Sequence, residues 1–335
     1  MKYFAGVSVV AIERFAGVMI PIDSDPAIVV PELEEEKVKS SSAIKNIRKY
    51  SDAEGPEGVV KSMLKELRLT RGKLGVEDFL PYKFSRMIKR TAPKVELDEA
   101  SEVLAGLRTV KTPDELELMR RAASIISQGI DAGIKAIRVG ATELDIGFEI
   151  ERTIKQSGGE SVPFCIVLRG ENAALPHGSS SKAEVRTGDA VVMDVGAIYD
   201  GYYGDLTKTV FVGSASAKQR EIYDIVLQAQ TKAIESVKPG IRASVVDKTA
   251  RDIITKAGYG ERFTHRTGHG LGLEVHEEPS ITATCKTVLK PGMTFTVEPG
   301  IYLPQEFGVR IEDNIVVTEE GRMTIGACEK TLTIV

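Results

Sequence analysis

The sequence predicts an α+β fold in two domains, of which the larger contains two copies of one helix–helix–strand unit. Length supports two domains, because 335 residues exceed the usual size of a single domain and 42% hydrophobic residues can fill two cores. The duplication is indicated by a repeated spacing, since carboxylate-bearing strand patterns and helix-start signals both recur 104 residues apart. The two copies are expected to pack about a pseudo-twofold axis.

The first domain is expected to span residues 1–109 and to be a small α/β domain. Apolar segments flank Asp23–Pro26, which is typical of a hairpin, and helical and strand patterns alternate after it. The junction is predicted at Arg108–Lys111, so the larger domain occupies residues 110–335.

Two capping boxes mark the first helix of each copy. Thr112-Pro-Asp-Glu115 and Ser216-Ala-Lys-Gln219 both place a hydroxyl side chain three residues before Glu or Gln, an arrangement that satisfies free backbone N–H groups. After the first box, apolar residues recur with helical spacing from Leu116 to Ile137. A second helix in each copy is predicted between Gly140 and Gly158 and between Gly240 and Gly258.

The strand pattern of the first copy is a hairpin that carries two carboxylates. Residues 190–212 read as two strands joined at Asp200-Gly201, a dipeptide that favours a two-residue turn because both positions tolerate positive φ. With that turn, Asp194 lies opposite Thr207, and Asp205 projects from the same face. An acidic hairpin face is ordinarily solvated, but the apolar flanks predict burial, and buried like charges need a cation.

The second copy repeats this design. A glycine lies six residues before the carboxylate in both copies, so Glu298 in Gly292–Tyr302 corresponds to Asp194. Glu312 then takes the position of Asp205. Two carboxylates from each copy are therefore predicted to converge.

All four histidines fall in two glycine- and proline-flanked stretches, and this clustering points to a site. Imidazole is a common neutral metal ligand and the usual acid or base near neutral pH. The residues are His177 in the first stretch and His265, His269 and His276 in the second. A hydrogen-bonded core histidine remains an equal alternative for His265. The glycines around His269 lack the spacing of a nucleotide loop, and the sequence after His276 is not the His-Glu-x-x-His of a zincin.

Five residues in order resemble the metal-ligand signature of the pita-bread metallopeptidases, the family of prolidase, aminopeptidase P and methionine aminopeptidase. They are Asp194, Asp205, His269, Glu298 and Glu312. The resemblance covers residues 110–335, and the segments around His177 and His276 resemble the Xaa-Pro-cleaving branch, closest to microbial prolidases. It implies a pita-bread catalytic domain preceded by a creatinase-type N-terminal domain.

The chain departs from the family pattern in two places. Lys208 stands where arginine is usual, which keeps the charge but loses the guanidinium fork. Tyr3–Gly6 matches a segment that in the family follows an opening helix and strand, so the N-terminal domain is expected to be shortened. A sheet without one strand exposes an unpaired edge, so Tyr3–Val10 is expected to be an edge strand or poorly ordered.

Four carboxylates and one imidazole form a mostly hard ligand set, which suits Mn²⁺ or Co²⁺ and can accept Zn²⁺. The set is too large for one ion, and two ions roughly 3.5–4 Å apart would generate hydroxide and polarise a scissile carbonyl. The resemblance implies that Asp205 and Glu312 bridge the ions. Asp194 would be a terminal ligand, and His269 with Glu298 would complete the set.

The resemblance also assigns roles beyond metal binding. Glu298 resembles the general base that moves the proton from the bridging water. His177 and His276 are expected to hydrogen-bond the oxyanion and the substrate backbone. His265 resembles a residue of the pocket wall. Arg310 resembles a partner for a ligand carboxylate, with a surface ion pair as the alternative.

The sequence therefore predicts a metal-dependent peptidase that hydrolyses Xaa-Pro dipeptides. The alternatives are an aminopeptidase P that acts on longer Xaa-Pro peptides, a methionine aminopeptidase, and a catalytically silent pita-bread domain that binds peptides. A complete ligand set argues against the silent domain. In this family the N-terminal domain commonly caps the cleft of the neighbouring subunit and limits the length of the peptide. We therefore expect a homodimer. Because the domain is expected to be shortened, we also expect some tolerance of peptides longer than two residues.

Composition bears on partners and location. A net charge of −4 argues against nucleic acid. Cys165, Cys285 and Cys328 are few, odd in number and far apart, which indicates reduced thiols in a cytoplasm. Glu13-Arg14 interrupts the apolar N-terminus, and no apolar run reaches the roughly 20 residues of a membrane helix. We expect a cytoplasmic enzyme with no membrane partner.

Overall fold

The computed structural model describes residues 1–9 and 11–335 and divides into two compact units, Met1–Leu107 and Arg108–Val335. The first unit mixes helices and strands, as the sequence predicts. Its elements are α1 (Lys2–Ala5), β1 (Gly17–Met19), β2 (Ala27–Pro31), α2 (Glu35–Ser41), β3 (Asn46–Tyr50), α3 (Glu57–Glu66), β4 (Arg71–Val76), α4 (Tyr82–Thr91), β5 (Lys94–Glu99) and α5 (Ser101–Arg108).

Two small sheets organise the first unit. β1 pairs antiparallel with β2, β2 pairs parallel with β3, and β4 pairs parallel with β5. The antiparallel pair confirms the hairpin predicted around Asp23–Pro26. β2 is apolar along its length and is buried on both faces, as expected for a strand covered on both sides. Val29 packs in one core with residues of α3 and α4, and Ile28 packs in another with residues of α1 and α2.

The expectation of an edge strand or poor order at Tyr3–Val10 is wrong over its described residues. Lys2–Ala5 forms a helix that ends at Gly6, whose φ of 70° is a conformation that glycine adopts without steric cost. The last residue of this helix and Val7 are buried in the core that contains β2. The segment therefore packs against side chains of β2 instead of adding a strand to the sheet. Val10 lies outside the described residues.

The second unit contains both copies of the repeated design. Its elements are α6 (Pro113–Ala136), α7 (Glu143–Gln156), β6 (Ser161–Arg169), β7 (Ala190–Tyr199), β8 (Tyr202–Phe211), α8 (Ala217–Ser236), α9 (Ala243–Lys256), β9 (Gly268–Gly270), β10 (Glu277–Ile281), β11 (Thr294–Val297), β12 (Gly300–Leu303), β13 (Phe307–Arg310), β14 (Asp313–Val317) and β15 (Arg322–Gly326). Among the residues described, none of the helices combines the length and apolar surface that a bilayer crossing requires.

Helices begin where the sequence predicts. Thr112 and Ser216 each form a capping box at the start of α6 and α8. Gly140 and Gly240 precede α7 and α9 with φ of 86° and 85°, a conformation suited to glycine. These matching signals confirm two helices in each copy. At the contact of α6 with α7, Gly133 permits close packing, because a Cβ there would lie 2.6 Å from a side-chain carbon of α7.

The two copies differ in how their strands are divided. In the first copy β6, β7 and β8 form one antiparallel sheet. In the second copy the counterpart of β7 is broken at Glu298-Pro299 into β11 and β12, and that of β8 is broken at Ile311-Glu312 into β13 and β14. Proline cannot donate to a strand ladder, which accounts for the first break. An isolated bridge between Thr207 and Glu312 joins the two copies.

Candidate metal centre

The hairpin of β7 and β8 places two carboxylates side by side. Its turn residues 200–201 have φ of 43° and 82°, and Asp194 pairs with Thr207, as predicted from a two-residue turn. Asp205 pairs with Gly196, which lies two residues beyond Asp194 on β7. Both acidic side chains therefore project from one face of the hairpin.

The strand breaks of the second copy place the other two carboxylates at strand ends. Glu298 follows β11, and its N–H donates to the Thr267 carbonyl at 2.8 Å. Glu312 lies between β13 and β14, and its N–H donates to the Thr207 carbonyl at 3.1 Å. Glu312 is thus tied to the strand that carries Asp205.

His269 is the central residue of β9, next to β11. Its N–H donates to Thr296 Oγ1 at 3.1 Å, and its ring meets that of His276 edge-on with centroids 4.3 Å apart. The Nε2 atom lies 3.3 Å from Glu298 Oε1 and 3.7 Å from Asp205 Oδ2. The imidazole therefore faces carboxylates of both copies.

The cluster has the composition and spacing of a metal site. One ligand atom from each of Asp205, His269 and Glu312 lies within 4.8 Å of the others. Asp205 Oδ1 and Glu312 Oε1 are buried and, among the described residues, accept no hydrogen bond. A buried carboxylate oxygen without a donor is unfavourable unless a cation binds it. These residues therefore fit a divalent cation.

Burial controls protonation in the cluster. It raises the pKa of Asp205 and of Glu312 well above their usual range, with neighbouring carboxylates as the second cause. It also raises the pKa of Glu298 to about 7 and lowers that of His269 to about 3. The imidazole is therefore neutral, as a metal ligand must be, and burial favours the protonated form of these three carboxyl groups, an effect that a bound cation would oppose.

The contribution of Glu298 to the stability of the metal-free protein is expected to fall as pH rises from 4.5 to about 7. Glu298 has a pKa of about 7 in the folded state against an ordinary value of 4.5, so its protonation favours the folded state. That contribution is complete below 4.5 and is lost as pH rises through 7. Urea denaturation of the chelated wild type and of chelated Glu298→Gln measures it as the difference between their free energies of unfolding. A wild type that gains stability relative to Glu298→Gln over this window contradicts the expectation.

A buried guanidinium organises one side of the cluster. Arg310 donates through Nη2 to Asp194 Oδ2 and through Nε to Thr207 Oγ1 at 3.2 Å. Its Nη1 donates to Tyr302 Oη at 3.0 Å and to the Pro176 carbonyl at 3.4 Å. Burial of Arg310 excludes the surface ion pair that the sequence left open. One side chain thus holds both Asp194 and the loop that contains Pro176.

His265 lies beside this guanidinium. Its Nε2 hydrogen-bonds the Tyr302 hydroxyl at 2.8 Å, and its Nδ1 meets the Arg266 carbonyl at 2.7 Å. Burial, with the nearby Arg310 as the second cause, lowers the pKa of His265 to about 4. Both ring nitrogens have partners, as in a core histidine, and the ring also faces the cavity. His265 therefore combines the hydrogen-bond partners of a core histidine with a place in the cavity wall.

Lys208 donates a hydrogen bond to a backbone carbonyl. Its Nζ donates to the Glu329 carbonyl at 2.6 Å, and the side chain is buried. The amine therefore ties the C-terminal segment to β8, and the loss of a guanidinium fork at this position removes none of the contacts of Arg310.

All the site residues predicted from the sequence line one cavity of about 410 Å³. They are His177, Asp194, Asp205, His265, His269, His276, Glu298, Arg310 and Glu312. Other lining residues have no sequence signal of their own: Phe164, Ile166, Pro176, Arg266 and Val275. Ile166 reaches the cavity because β6 pairs with β7 in a register that sets it opposite Asp194. A pairing between such distant segments is not specified by a local pattern.

Similarity to known proteins extends over the whole chain. Residues 117–319 match metallopeptidase family M24, and residues 1–110 match the creatinase/prolidase N-terminal domain. The chain is 39% identical to the Xaa-Pro dipeptidase of Pyrococcus furiosus over 334 residues, which cover 98% of this chain and 91% of the relative. The structure of prolidase from Thermococcus sibiricus matches with a TM-score of 0.94 at 37% identity, over 100% of this chain and 91% of that one. The X-Pro aminopeptidase of Thermotoga maritima matches with a TM-score of 0.88 at 31% identity, over 100% and 93%.

Proposed function

This chain belongs to metallopeptidase family M24, and from that membership we propose that it is a dipeptidase that hydrolyses the bond before proline in Xaa-Pro dipeptides. One observation carries the proposal: four carboxylates and four histidines surround a single cavity, and two of the carboxylate oxygens lack a hydrogen-bond donor among the described residues. The Xaa-Pro preference is supported by relatives named Xaa-Pro dipeptidase that match nearly the whole chain.

Five residues would hold two divalent ions at the cavity, and they are Asp194, Asp205, His269, Glu298 and Glu312. Asp205 and Glu312 would hold both ions, as the family resemblance implies, and each has one buried oxygen without a hydrogen-bond donor among the described residues. Mostly oxygen ligands favour Mn²⁺ or Co²⁺ and accept Zn²⁺. When bound, such ions lower the pKa of a water molecule and polarise a carbonyl group.

The other side chains bind the substrate and move protons. Glu298 accepts the proton of the attacking water on a carboxylate oxygen and passes it to the departing proline nitrogen, a role suited to a group whose pKa burial raises. His177 and His276 donate hydrogen bonds to the developing oxyanion and to the substrate backbone. Arg310 fixes the orientation of Asp194, and His265 forms part of the cavity wall.

Replacing His177 or His276 with alanine is expected to lower kcat while the bound metal stays in place. Neither imidazole belongs to the proposed ligand set, and each loses one stabilising hydrogen bond to the transition state, which typically costs about 10²–10³-fold. Elemental analysis of the purified variants, together with steady-state kinetics, measures both quantities. Release of metal from either variant would show that its imidazole is a ligand.

A panel of peptides tests the proposed function. Met-Pro should be hydrolysed in preference to Met-Ala, Met-Ala-Ala and Met-Pro-Ala. Preferential cleavage of Met-Ala-Ala would identify a methionine aminopeptidase. Preferential cleavage of Met-Pro-Ala would identify an aminopeptidase P, which the match to the Thermotoga maritima enzyme makes the second candidate. Binding of peptides without any hydrolysis by the metal-loaded protein would identify a silent scaffold.

The active form is proposed to be a cytoplasmic homodimer without nucleic acid or membrane partners. In each chain the boundary between the two domains is proposed to follow residue 109. Three free cysteines and a net charge of −4 support this setting. Light scattering should give the mass of two chains, with some cleavage of peptides longer than two residues. A stable monomer would contradict the dimer, and strict dipeptide cleavage would contradict the tolerance of longer peptides.

A further inference from the structure

Two fully buried carboxylates outside the metal cluster hold the segments that carry the histidines. Glu143 is the first residue of α7 and Asp247 lies in the second turn of α9, and both are 0% exposed. These helices correspond in the two copies, but the carboxylates do not. The helices start at residues 143 and 243, so the counterpart of Glu143 is Ala243 and that of Asp247 is Gly147. Each carboxylate is therefore specific to its own half of the site.

Glu143 closes the base of the loop that carries His177. Its Oε1 accepts the Arg169 N–H at 2.8 Å and Asn172 Nδ2 at 2.9 Å, on the N-terminal side of that histidine. Its Oε2 accepts the Ser181 N–H at 2.8 Å and Ser181 Oγ at 2.7 Å, on the C-terminal side. These four hydrogen bonds let one side chain fix both ends of the loop.

Asp247 holds the segment that leads to His269. Its Oδ1 accepts Thr267 Oγ1 at 2.8 Å and the Thr267 N–H at 3.3 Å. Arg251 donates to both oxygens of Asp247, at 2.9 and 3.0 Å, and also to the carbonyl of His265 at 3.0 Å. The carbonyl of Thr267 in turn accepts the N–H of Glu298. Asp247 therefore supports β9, which carries the proposed ligand His269. Through Thr267 it also supports the backbone of Glu298, another proposed ligand.

We propose that Glu143 and Asp247 are positioning residues with separate tasks, Glu143 for His177 and Asp247 for the metal ligand His269. The assignment to Glu143 depends on the proposed function, because it acts through a residue that contacts substrate. The assignment to Asp247 depends only on metal binding. Neither carboxylate lines the cavity, so replacing it removes no direct contact with substrate or metal.

Glu143→Gln tests the first task. The carboxamide presents an N–H group where the carboxylate accepted, so at least one backbone N–H of the loop loses its acceptor. A displacement of about 1 Å at a reacting group costs about 10²-fold, so kcat on the best peptide of the panel should fall by about 10–100-fold with unchanged metal content. Asp145→Asn is the matched control, because Asp145 lies on the same helix and forms its side-chain hydrogen bonds with the cap residue Thr142, away from the His177 loop. It should lower Tm without lowering kcat.

A double-mutant cycle separates positioning from general damage. If Glu143 acts through His177, Glu143→Gln should change kcat by less than about twofold in a His177→Ala background. An equal loss in both backgrounds overturns the assignment. Ser181→Ala serves if Glu143→Gln does not fold, since it removes one donor and leaves the carboxylate in place. It should give a smaller loss of kcat that also disappears in the His177→Ala background.

Asp247→Asn tests the second task without any turnover. Loss of the group that orients a ligand typically costs 10–100-fold in metal affinity, so calorimetric titration of the metal-free variant with Mn²⁺ should show a loss of about that size. Glu143→Gln should bind Mn²⁺ like the wild type. Thr267→Val removes one donor to Asp247 and should show a smaller loss if Asp247→Asn does not fold. Wild-type affinity in both Asp247→Asn and Thr267→Val overturns the assignment. If the wild type does not hydrolyse Xaa-Pro dipeptides, the proposed function is wrong. The titration still tests the role of Asp247 in that case, because it measures metal binding and not turnover.

Discussion

Substituting Glu298 with glutamine is expected to lower kcat by about 10²–10⁴-fold, the usual contribution of a general base. The carboxamide cannot accept a proton, and it is a weaker ligand than a carboxylate. Burial raises the pKa of Glu298 to about 7, which suits a general base. Its Oε1 atom lies 3.3 Å from Nε2 of His269, inside the cluster. Kinetics at saturating Mn²⁺, with metal content measured on the same sample, separate the loss of the base from the loss of an ion.

The control for this variant is Glu306→Gln. Glu306 is an exposed glutamate whose carboxylate pairs with Lys218, so the same chemical change there should leave kcat as in the wild type. If Glu298→Gln retained wild-type turnover while fully loaded with metal, the proposed proton transfer through Glu298 would be wrong.

Removing the metal is expected to abolish turnover altogether. Asp205 Oδ1 and Glu312 Oε1 then have no partner among the described residues, and burial favours the protonated form of both carboxyl groups by raising their pKa values. Exhaustive chelation should eliminate hydrolysis of Met-Pro, and either Mn²⁺ or Co²⁺ should restore it. Addition of the same ions to Glu312→Gln should restore much less, because one ligand is lost.

A residual rate in the chelated protein decides the matter. Elemental analysis must first show that the sample holds no divalent ion. Hydrolysis of Met-Pro at the wild-type rate by such a sample would show that the carboxylates act without metal.

The first half of the site follows from the sequence because local rules specify it. Asp200-Gly201 fixes a two-residue turn, and the turn fixes the register that sets Asp194 opposite Thr207. Alternation along the strand then sets the side of Asp205. Every step involves residues within one hairpin.

The second half follows less completely. The match between Glu298 and Asp194 predicts which residues converge, but it suggests continuous strands where the structure has breaks at Pro299 and Ile311. The break at Ile311 depends on a contact with the other copy, the bond from the Glu312 N–H to the Thr207 carbonyl. A local pattern contains no information about that partner.

Glu143 and Asp247 show why supporting residues escape a sequence-based prediction. An acidic residue at the start of a helix is ordinarily a solvent-exposed group that favours the helix N-terminus. Glu143 stands at that position but is buried by a loop whose donors lie 26 to 38 residues further along the chain. Lys2–Ala5 illustrates the reverse error, since the start of an expected edge strand is a helix ended by Gly6.

The number of ions in the active enzyme shows whether the ligands from both copies of the repeat form one dinuclear centre. Equilibrium dialysis against Mn²⁺, followed by elemental analysis and kinetics on the same sample, gives ions per chain as a function of activity. We expect activity on Met-Pro to reach its maximum only at two ions per chain. Full activity with at most one ion per chain would show that the centre is not dinuclear.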